Sequence, residues 1–322
     1  MVPLHIQMYI LIAVMFSLIY MTIVMLSTTL GVYNFYLYLS LSIGMMIIQY
    51  MVGPSLITWT MQLRYIKRDD FPKLWDMVED LARKANIPMP RVCVCPSDVP
   101  NAFAFGRGVN DGRVCVSAGI MRLLNDNELK AVLGHELTHI KNRDVLTITM
   151  LSVVPMILYR IAWHFIWYGN RRDSRNAPSG FVIGMAAFIF YFITNLLVLY
   201  GSRIREFYAD KGAVDLGNKP EHLATALFKL VYGSAKYGDS PDMRTQEGMK
   251  AFFINDPSKA LKEIRELKQL DMDNSGTIDA DELYLLRNKY VILSPTEKMM
   301  ELLGTHPNML KRIKHLSELK VS

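Results

Sequence analysis

Charged side chains are missing from the beginning of this chain. No Asp, Glu, Lys or Arg occurs from Ile6 to Tyr33 or from Asn34 to Leu63. Each stretch can cross the roughly 30 Å hydrocarbon layer of a bilayer as a helix of about 20 residues. The first stretch is too long for the core of a signal peptide, has no basic segment before it and is followed at once by the second. The pattern therefore predicts two membrane anchors that are retained.

Cysteine is also scarce, with three residues in a chain of 322. Cys93, Cys95 and Cys115 lie in short segments that alternate like strands, and Cys93 and Cys95 would share one strand face. A metal site is one interpretation of these thiols, but small buried thiols in a reducing compartment fit them better. We assign the three cysteines no function.

A nucleic-acid-binding pattern is absent as well. The net charge is +6, but no basic patch is interleaved with aromatic residues, so we expect no nucleic-acid partner. The positive-inside rule makes the basic ends of apolar stretches cytoplasmic, although three arginines between residues 171 and 175 oppose this assignment. The rule predicts a multi-pass protein of the cell membrane with both termini in the cytoplasm. The basic residues that carry it are Arg64, Lys67, Arg68, Lys141, Arg143, Arg203, Arg205 and Lys211.

Two further apolar stretches bring the predicted number of spans to four. They are Val145 to Tyr168 and Phe181 to Gly201, on either side of the polar segment Asn170 to Ser179. The third span contains a proline, an arginine and a histidine, so a partly inserted helix is an alternative there. The chain then divides into spans at 1–63 and 145–201 and into two halves of a cytoplasmic domain at 64–144 and 202–322.

The polar block at 64–144 is predicted to be a small α+β layer. Pro72 opens a helix with the apolar face Leu74, Val78, Leu81 and Ala85. Strand-like runs follow, separated by turn signals, at Arg91–Cys95, Ala102–Phe105 and Arg113–Ser117. Another helix begins at Asn125, with Glu128 in the capping-box position. The predicted fold class is α+β and mainly helical, with the membrane helices added to this layer.

The second helix of this block carries the chemistry, in the segment Gly134-His135-Glu136-Leu137-Thr138-His139. Residues four apart lie on one face of a helix, so His135 and His139 can hold one Zn²⁺ between them. Glu136 can reach a water on the metal and act as a general base. The alternative is a pair of histidines on an ordinary amphipathic helix.

A catalytic zinc site needs a third protein ligand, and the segment Arg203 to Asp210 offers one. Glu206 would complete a His₂Glu set and leave one position open for water. Asp210, one helical turn later, would hydrogen-bond the outer nitrogen of a liganding histidine. His135 and Glu206 are separated by two predicted spans, so both lie on the same side of the membrane. Without the histidine motif, Glu206 and Asp210 would be an ordinary solvated helix face.

Four motifs in order resemble the HtpX family of membrane zinc endopeptidases, which are gluzincins related to the CAAX prenyl-protein proteases. They are HELTHIKNRDV from His135, REFYAD from Arg205, Pro100-Asn101-Ala102-Phe103-Ala104, and Thr305-His306-Pro307. The family usually continues His-Pro-Pro, where this chain has Asn308.

The resemblance implies a zincin-like domain and quality control of membrane proteins from the cytoplasmic side. It implies that the segment of Asn101, Ala102, Phe103 and Ala104 is an edge that pairs with an extended substrate. It also implies that His306 and Arg205 assist catalysis at the oxyanion or at the water on the metal.

The predicted function is hydrolysis of peptide bonds in protein or peptide substrates, misfolded membrane proteins in particular, by an enzyme that is bound to the lipid bilayer and acts from the cytoplasmic side. The reaction would use zinc-activated water with Glu136 as the base. One alternative is a proteolytically inactive membrane scaffold that binds zinc and calcium, which the intact Glu136 disfavours. Another is a calcium sensor with a vestigial protease core. A CAAX-type protease is disfavoured because four spans are too few for the large intramembrane chamber of that group.

The segment Asp271 to Glu282 fits a twelve-residue EF-hand loop, with glycine at position six and Ile278 at position eight. The flanking segments Ser258–Leu270 and Leu283–Tyr290 are predicted helices within an insert at 256–290. We therefore expect Ca²⁺ as a second ion beside Zn²⁺, and the alternative is an acidic turn that binds nothing. The predicted calcium ligands are Asp271, Asp273, Ser275, Thr277, Asp279 and Glu282.

Overall fold

The structure is a computed structural model. It describes residues 50–144 except 53, 56 and 60; residues 155, 158, 159, 161–163, 165 and 166; residues 180–236; residues 264, 267 and 269–288; and residues 295–320 except 303 and 305. The first predicted span, most of the second and third spans, the segment Asn170 to Ser179 and most of the predicted helix Ser258–Leu270 lie outside the described residues.

The chain divides into two compact units. One unit is Met1–Val52 with Leu146–Ser202, and the other is Gly53–Val145 with Arg203–Ser322. The second unit is made of the two polar blocks that surround the third and fourth predicted spans in sequence. Every site described below belongs to this second unit.

A sheet of four strands lies in the second unit, within the part of the chain that the structure describes. The strands are β1 (Arg64–Tyr65), β2 (Arg91–Cys95), β3 (Ala102–Phe105) and β4 (Arg113–Ser117). Their order is β1-β2-β4-β3; β2 and β4 are parallel, and each outer strand is antiparallel to its neighbour. The predicted bounds of β2, β3 and β4 are confirmed, and β1 was not predicted. The strand β3 is therefore at one edge of the sheet.

The two faces of the sheet belong to two apolar clusters. Val92, Ala102, Val114 and Val116 join the main core, whereas Cys93, Cys95, Phe103, Phe105 and Cys115 form a second cluster with Met61 and Leu63. All three cysteines are free thiols and at most 3% exposed. Burial raises the pKa of the Cys115 thiol well above its usual value. The Cys115 thiol is therefore a poor nucleophile, and the burial of all three thiols fits a packing role.

Three helices of the described block 64–144 pack on the main core. They are α1 (Pro72–Ala85), α2 (Ala118–Leu123) and α3 (Asp126–Lys141). Asn125 caps α3: its side chain accepts from Asn127 N and Glu128 N, and Glu128 Oε2 accepts from Asn125 N at 3.1 Å. This is the predicted capping box. The start of α3 is therefore determined locally, whereas its buried face packs against α1, β3 and β4.

The later helices are α4 (Gly180–Asp215), α5 (Pro220–Lys236), α6 (Ala280–Arg287), α7 (Pro295–Leu302) and α8 (Met309–Glu318). The fourth predicted span and the segment with Glu206 form one continuous helix, α4, with no break at Gly201. Among the described residues, Phe181–Asp215 is the one helix long and apolar enough to cross a membrane, by length and composition alone. The helix α6 begins three residues before the predicted Leu283, because Asp279 caps it.

Candidate metal centre

Three electron-rich side chains converge between α3 and the end of α4. The Nε2 atoms of His135 and His139 are 3.1 Å apart. Glu206 Oε2 lies 3.5 Å from His135 Nε2, and Glu206 Oε1 lies 3.5 Å from His139 Nε2. His135 is 2% exposed and Glu206 5%. The structure thus brings together the three residues that the sequence predicts as zinc ligands.

Two carboxylates determine which histidine nitrogens face this point. Asp210 Oδ1 lies 2.9 Å from His135 Nδ1, and Asp144 Oδ2 lies 2.6 Å from His139 Nδ1. A carboxylate accepts a hydrogen bond, so each Nδ1 carries the proton and each Nε2 presents a lone pair. Asp144 was not singled out from the sequence, although it lies within the quoted motif. A carboxylate five residues after the second histidine was the available signal.

The donor set fits a zinc ion. Lone pairs on two Nε2 atoms and one carboxylate repel one another in a buried site unless a cation lies between them. Zinc bonds of about 2.0–2.1 Å to nitrogen or oxygen place tetrahedral ligands about 3.3–3.4 Å apart, close to the three separations observed. Both ring nitrogens of His306 are also buried, and they have no hydrogen-bond partner among the described residues. His306 Nδ1 lies 3.5 Å from Glu206 Oε2, so these groups face the same point.

The same carboxylates that attract a metal also attract a proton. Burial opposes the charge on His135, but its hydrogen bonds to Asp210 and Glu206 outweigh burial and raise its pKa to about 9. A proton and a divalent cation therefore compete for the ring.

Glu136 lies beside the donor set and is 4% exposed. Burial raises the pKa of its carboxyl, against the opposing effect of His135 and His139 and of a hydrogen bond from the Ala104 backbone. A raised pKa suits a group that must both take up and release a proton near neutral pH.

The edge strand β3 runs past this carboxylate. Asn101 O accepts from Ser117 N at 2.8 Å, so Asn101 is hydrogen-bonded to β4. Hydrogen-bonded positions alternate in an antiparallel pair, so the backbone N–H and C=O groups of Phe103 and Phe105 also face β4. The backbone groups of Ala102 and Ala104 therefore point away from β4, where Ala102 is fully buried and Ala104 is partly exposed. The predicted substrate role of Asn101 to Ala104 stays a prediction, and the position of β3 at a sheet edge meets its main requirement.

Arg205 contacts Asp144, the residue whose carboxylate is hydrogen-bonded to His139. Its Nη1 donates to the backbone oxygen of Asp144 at 2.6 Å and lies 3.9 Å from Asp144 Oδ1. The side chain is thus engaged with the residue that holds His139, and its contact favours positioning over a direct contact with substrate.

Arg312 is a residue of this centre that the sequence analysis missed. Its Nε and Nη2 donate to the two oxygens of Asp210 at 2.9 Å and 2.6 Å, and its Nη1 lies 3.1 Å from Glu206 Oε2. The side chain is fully buried. Its signal in the sequence is its place on the apolar face of α8, between the buried Met309 and Leu316. An arginine at such a position requires buried carboxylate partners.

Three of the six predicted calcium residues form a second group of carboxylates, whereas the side chain of Asp279 caps α6. Carboxylate oxygens of Asp271, Asp273 and Glu282 all lie within 4.8 Å of one another. The hydroxyls of Ser275 and Thr277 are 2.9 Å apart.

Comparison with known proteins identifies the family. The model of "Peptidase family M48" matches residues 68–320, which include every residue of the metal centre. The chain belongs to peptidase family M48. It is therefore a metallopeptidase, and M48 membership implies a metal that is typically zinc.

M48 relatives of similar sequence carry the name that the four motifs predicted. The "Protease HtpX homolog" of Methanothermobacter thermautotrophicus is 43% identical over 228 residues, which cover 71% of this chain and 86% of that protein. The "Protease HtpX homolog" of Moorella thermoacetica is 37% identical over 213 residues, which cover 64% of this chain and 70% of that protein. The resemblance to the HtpX family is confirmed.

A solved M48-like structure has a similar fold. The crystal structure of S. mikatae Ste24p matches with a TM-score of 0.50 and 16% identity. The match covers 98% of this chain and 66% of that one. The likeness supports the mainly helical α+β fold.

Proposed function

We propose that this chain is a membrane-embedded zinc endopeptidase that cuts proteins, membrane proteins in particular, on the cytoplasmic side in the service of quality control. The observation that carries the proposal is the convergence of His135 Nε2, His139 Nε2 and a Glu206 oxygen at 3.1–3.5 Å beside the buried Glu136. Membership of family M48 and the likeness to proteins named HtpX homologs support it.

His135, His139 and Glu206 would hold the zinc ion, and Asp210 and Asp144 orient the two rings. A zinc ion bound there supplies an acidified water and polarises the carbonyl of the scissile bond. Glu136 accepts the proton of the attacking water at a carboxylate oxygen and delivers it to the nitrogen of the leaving amine. Its raised pKa assists the second transfer because the protonated form survives long enough to be used.

The substrate would pair with β3 as an added strand. The backbone oxygen of the partly exposed Ala104 would supply a hydrogen bond to the substrate, and the Ala104 N–H, which donates to Glu136, holds this strand beside the base. His306 would donate to the oxyanion, and this role is supported by its two ring nitrogens, which have no hydrogen-bond partner in the part of the chain that the structure describes. Arg205 acts by holding Asp144 in place.

The bilayer is proposed as the partner of α4. Large apolar side chains on this helix are 44–54% exposed, at Phe181, Val182, Phe188, Ile189, Phe192 and Tyr200. A soluble monomer rarely exposes a contiguous apolar surface of this kind. The four spans within 1–63 and 145–201 stay a prediction.

Two substitutions test the proposal. Glu136→Gln should keep about one zinc per chain and lower the cleavage of casein or a membrane-protein substrate by about 10²-fold or more, because the base is lost and the ligands remain. Glu206→Ala should lose zinc as well as activity. Zinc content and cleavage rate are measured on the purified full chain.

Asp126→Asn, an exposed change on the same helix, is the matched control and should leave both readouts unchanged. A Glu136→Gln variant as active as the wild type would exclude the mechanism. A wild-type protein that holds zinc and cleaves nothing would instead favour a zinc-binding scaffold.

A further inference from the structure

The loop Asp271–Glu282 contains a buried carboxylate oxygen without a hydrogen-bond partner among the described residues. Asp271 Oδ2 accepts from Gly276 N at 3.0 Å, whereas Asp271 Oδ1 is buried and accepts no hydrogen bond from the residues that the structure describes. Leaving a carboxylate oxygen in this state costs free energy. Asp271 is also one of the three converging carboxylates, so a cation held by the group would supply what its oxygen lacks.

The Glu282 carboxylate of the same group is held in a fixed orientation by hydrogen bonds. Glu282 is 8% exposed, and its oxygens accept from Met272 N at 2.6 Å and Asp279 N at 3.1 Å. These two bonds orient the carboxylate and leave lone pairs for an ion, because a carboxylate has about four acceptor sites. The spacing of loop positions one, three and twelve is that of Asp271, Asp273 and Glu282. Hard oxygen ligands of this kind select Ca²⁺ over zinc or copper.

The centre of the loop is attached to α5. The Thr225 hydroxyl donates to Ile278 O at 2.8 Å and accepts from Ile278 N at 3.0 Å. Thr225 is 5% exposed and Ile278 1% exposed. One hydroxyl therefore satisfies both backbone groups at loop position eight. Ile278 itself belongs to the main core of the second unit.

The helix α5 in turn supports the helix with the zinc motif. Lys229 lies one turn after Thr225, and its Nζ lies 2.8 Å and 3.0 Å from the two oxygens of Glu128. Glu128 is 2% exposed and closes the capping box at the start of α3. A chain of buried contacts thus joins the loop to the helix that carries His135 and His139.

We propose that Asp271–Glu282 binds one Ca²⁺ and that the ion stabilises the peptidase core through the contact of Ile278 with Thr225. The expected affinity is weak, with a Kd of about 10⁻⁵–10⁻³ M. The reason is that the described residues contain one such loop, so the Thr225 hydroxyl supports Ile278 in place of a second, paired loop. Binding of the ion to the folded state raises the melting temperature by mass action. Ca²⁺ binding does not depend on the proposed proteolysis.

The test uses the purified full chain, loaded with zinc and freed of calcium by a calcium-selective chelator. Calorimetric titration with Ca²⁺ should show one site per chain, and the melting temperature should rise while the zinc content stays constant. The double variant Asp271→Asn/Glu282→Gln should lose both the binding and the shift. It should still fold, because removing mutually repelling carboxylates relieves the calcium-free loop.

Asp281→Asn is the matched control, since Asp281 is an exposed carboxylate in the same loop at a position that is not a ligand. It should bind Ca²⁺ within about threefold of the wild type. Thr225→Val should keep the ligands but weaken Ca²⁺ binding about tenfold, because Ile278 loses two hydrogen bonds.

Three results would overturn the proposal. They are no heat and no thermal shift at about 10 mM Ca²⁺ in the wild type, an equal loss in Asp281→Asn and in the double variant, or displacement of zinc in step with the calcium response. Thr225→Val with the full affinity and the full thermal shift would overturn the coupling to α5. If the wild type binds Ca²⁺ as expected but does not cleave casein, the result would contradict the proposed proteolysis and leave the calcium proposal standing.

Discussion

At the scale of single residues, Arg312 determines the electrostatics of the metal centre. It faces two buried carboxylates, Asp210 and Glu206, which without it carry two negative charges away from water. Removing one partner of a buried ion pair leaves an uncompensated charge, and the cost is about 3–5 kcal/mol. Arg312 therefore keeps Asp210 ionised and aligned on His135 whether or not the metal is bound.

We predict that Arg312→Met lowers the free energy of unfolding by about 3–5 kcal/mol and weakens zinc binding, measured by denaturation in detergent and by zinc content. The matched control is Lys311→Met on the same helix. Its ammonium pairs with Glu301 at the surface and should contribute about 1 kcal/mol or less. Equal losses in the two variants would contradict the role of Arg312.

Asn308 shows how a departure from the family motif is accommodated. Its side-chain oxygen accepts from Leu310 N at 2.9 Å and caps α8. Asparagine is among the best residues at a helix N-cap. The helix that carries Arg312 therefore begins after a side-chain cap at Asn308, the position where the family usually has a second proline.

At the scale of elements, α3 and α4 meet at a glycine. A Cβ atom at Gly212 would lie 2.3 Å from Thr138 Cγ2 and 2.5 Å from Thr138 Oγ1. Thr138 is one residue before His139, and Gly212 is two residues after Asp210. The close approach of these two helices is what brings Glu206 to the histidines.

We predict that Gly212→Ala separates the helices, lowers stability by about 1–3 kcal/mol through overpacking and reduces the zinc content. Adding Thr138→Ala removes the two nearest atoms and should restore zinc in part. The prediction is wrong if Gly212→Ala binds zinc as tightly as the wild type.

A second contact between elements joins α1 to α3 through Asp80. Its carboxylate lies 2.8 Å from Lys130 Nζ on α3 and also contacts Lys84 and Arg83 on its own helix. The hydrogen bond from Lys130 holds the pKa of Asp80 far below its usual value, against the opposing effect of burial. A carboxyl whose pKa is lower in the folded state than in the unfolded state stabilises the protein at pH values above the unfolded-state pKa. This stabilisation is lost as the pH falls through the folded-state pKa.

Asp80→Asn should therefore destabilise the protein by on the order of 1 kcal/mol at about pH 7, and the difference from the wild type should shrink below about pH 4. The measurement is the free energy of unfolding of both proteins across this range. Asp76→Asn, whose pair with Arg68 is exposed on both sides, should change stability by about 0.5 kcal/mol or less. A difference that grows in acid would contradict the assignment.

At the scale of the whole molecule, the charge pattern predicts which side of the membrane each block faces. The basic residues at the ends of the predicted spans predict that 64–144 faces the cytoplasm and that Asn170 to Ser179 lies outside. The three native cysteines are at most 3% exposed, so introduced thiols can be labelled against a silent background.

An impermeant thiol reagent on intact cells should label Ser174→Cys and not Lys73→Cys, whose native side chain is 83% exposed. Both should be labelled after the cells are opened. Labelling of Lys73→Cys alone in intact cells would invert the topology and place the metal centre outside.

The sequence was sufficient where the physics is local. A spacing of four residues places His135 and His139 on one helix face, a capping box starts that helix at Asn125, and alternation defines β2, β3 and β4. Each of these depends on neighbours in the chain, so no knowledge of packing was needed. The third predicted ligand, Glu206, followed from the requirement of a catalytic zinc ion for one more donor.

Only the tertiary structure decided the partners of the buried charges. Arg312 is 102 positions from Asp210 and 177 from His135, and nothing in the local pattern of α8 indicates which carboxylate it meets. The attachment of Ile278 to Thr225 spans 53 positions in the same way. Such contacts arise because burial forces each polar group to find a partner, and packing between distant helices determines which partner is within reach.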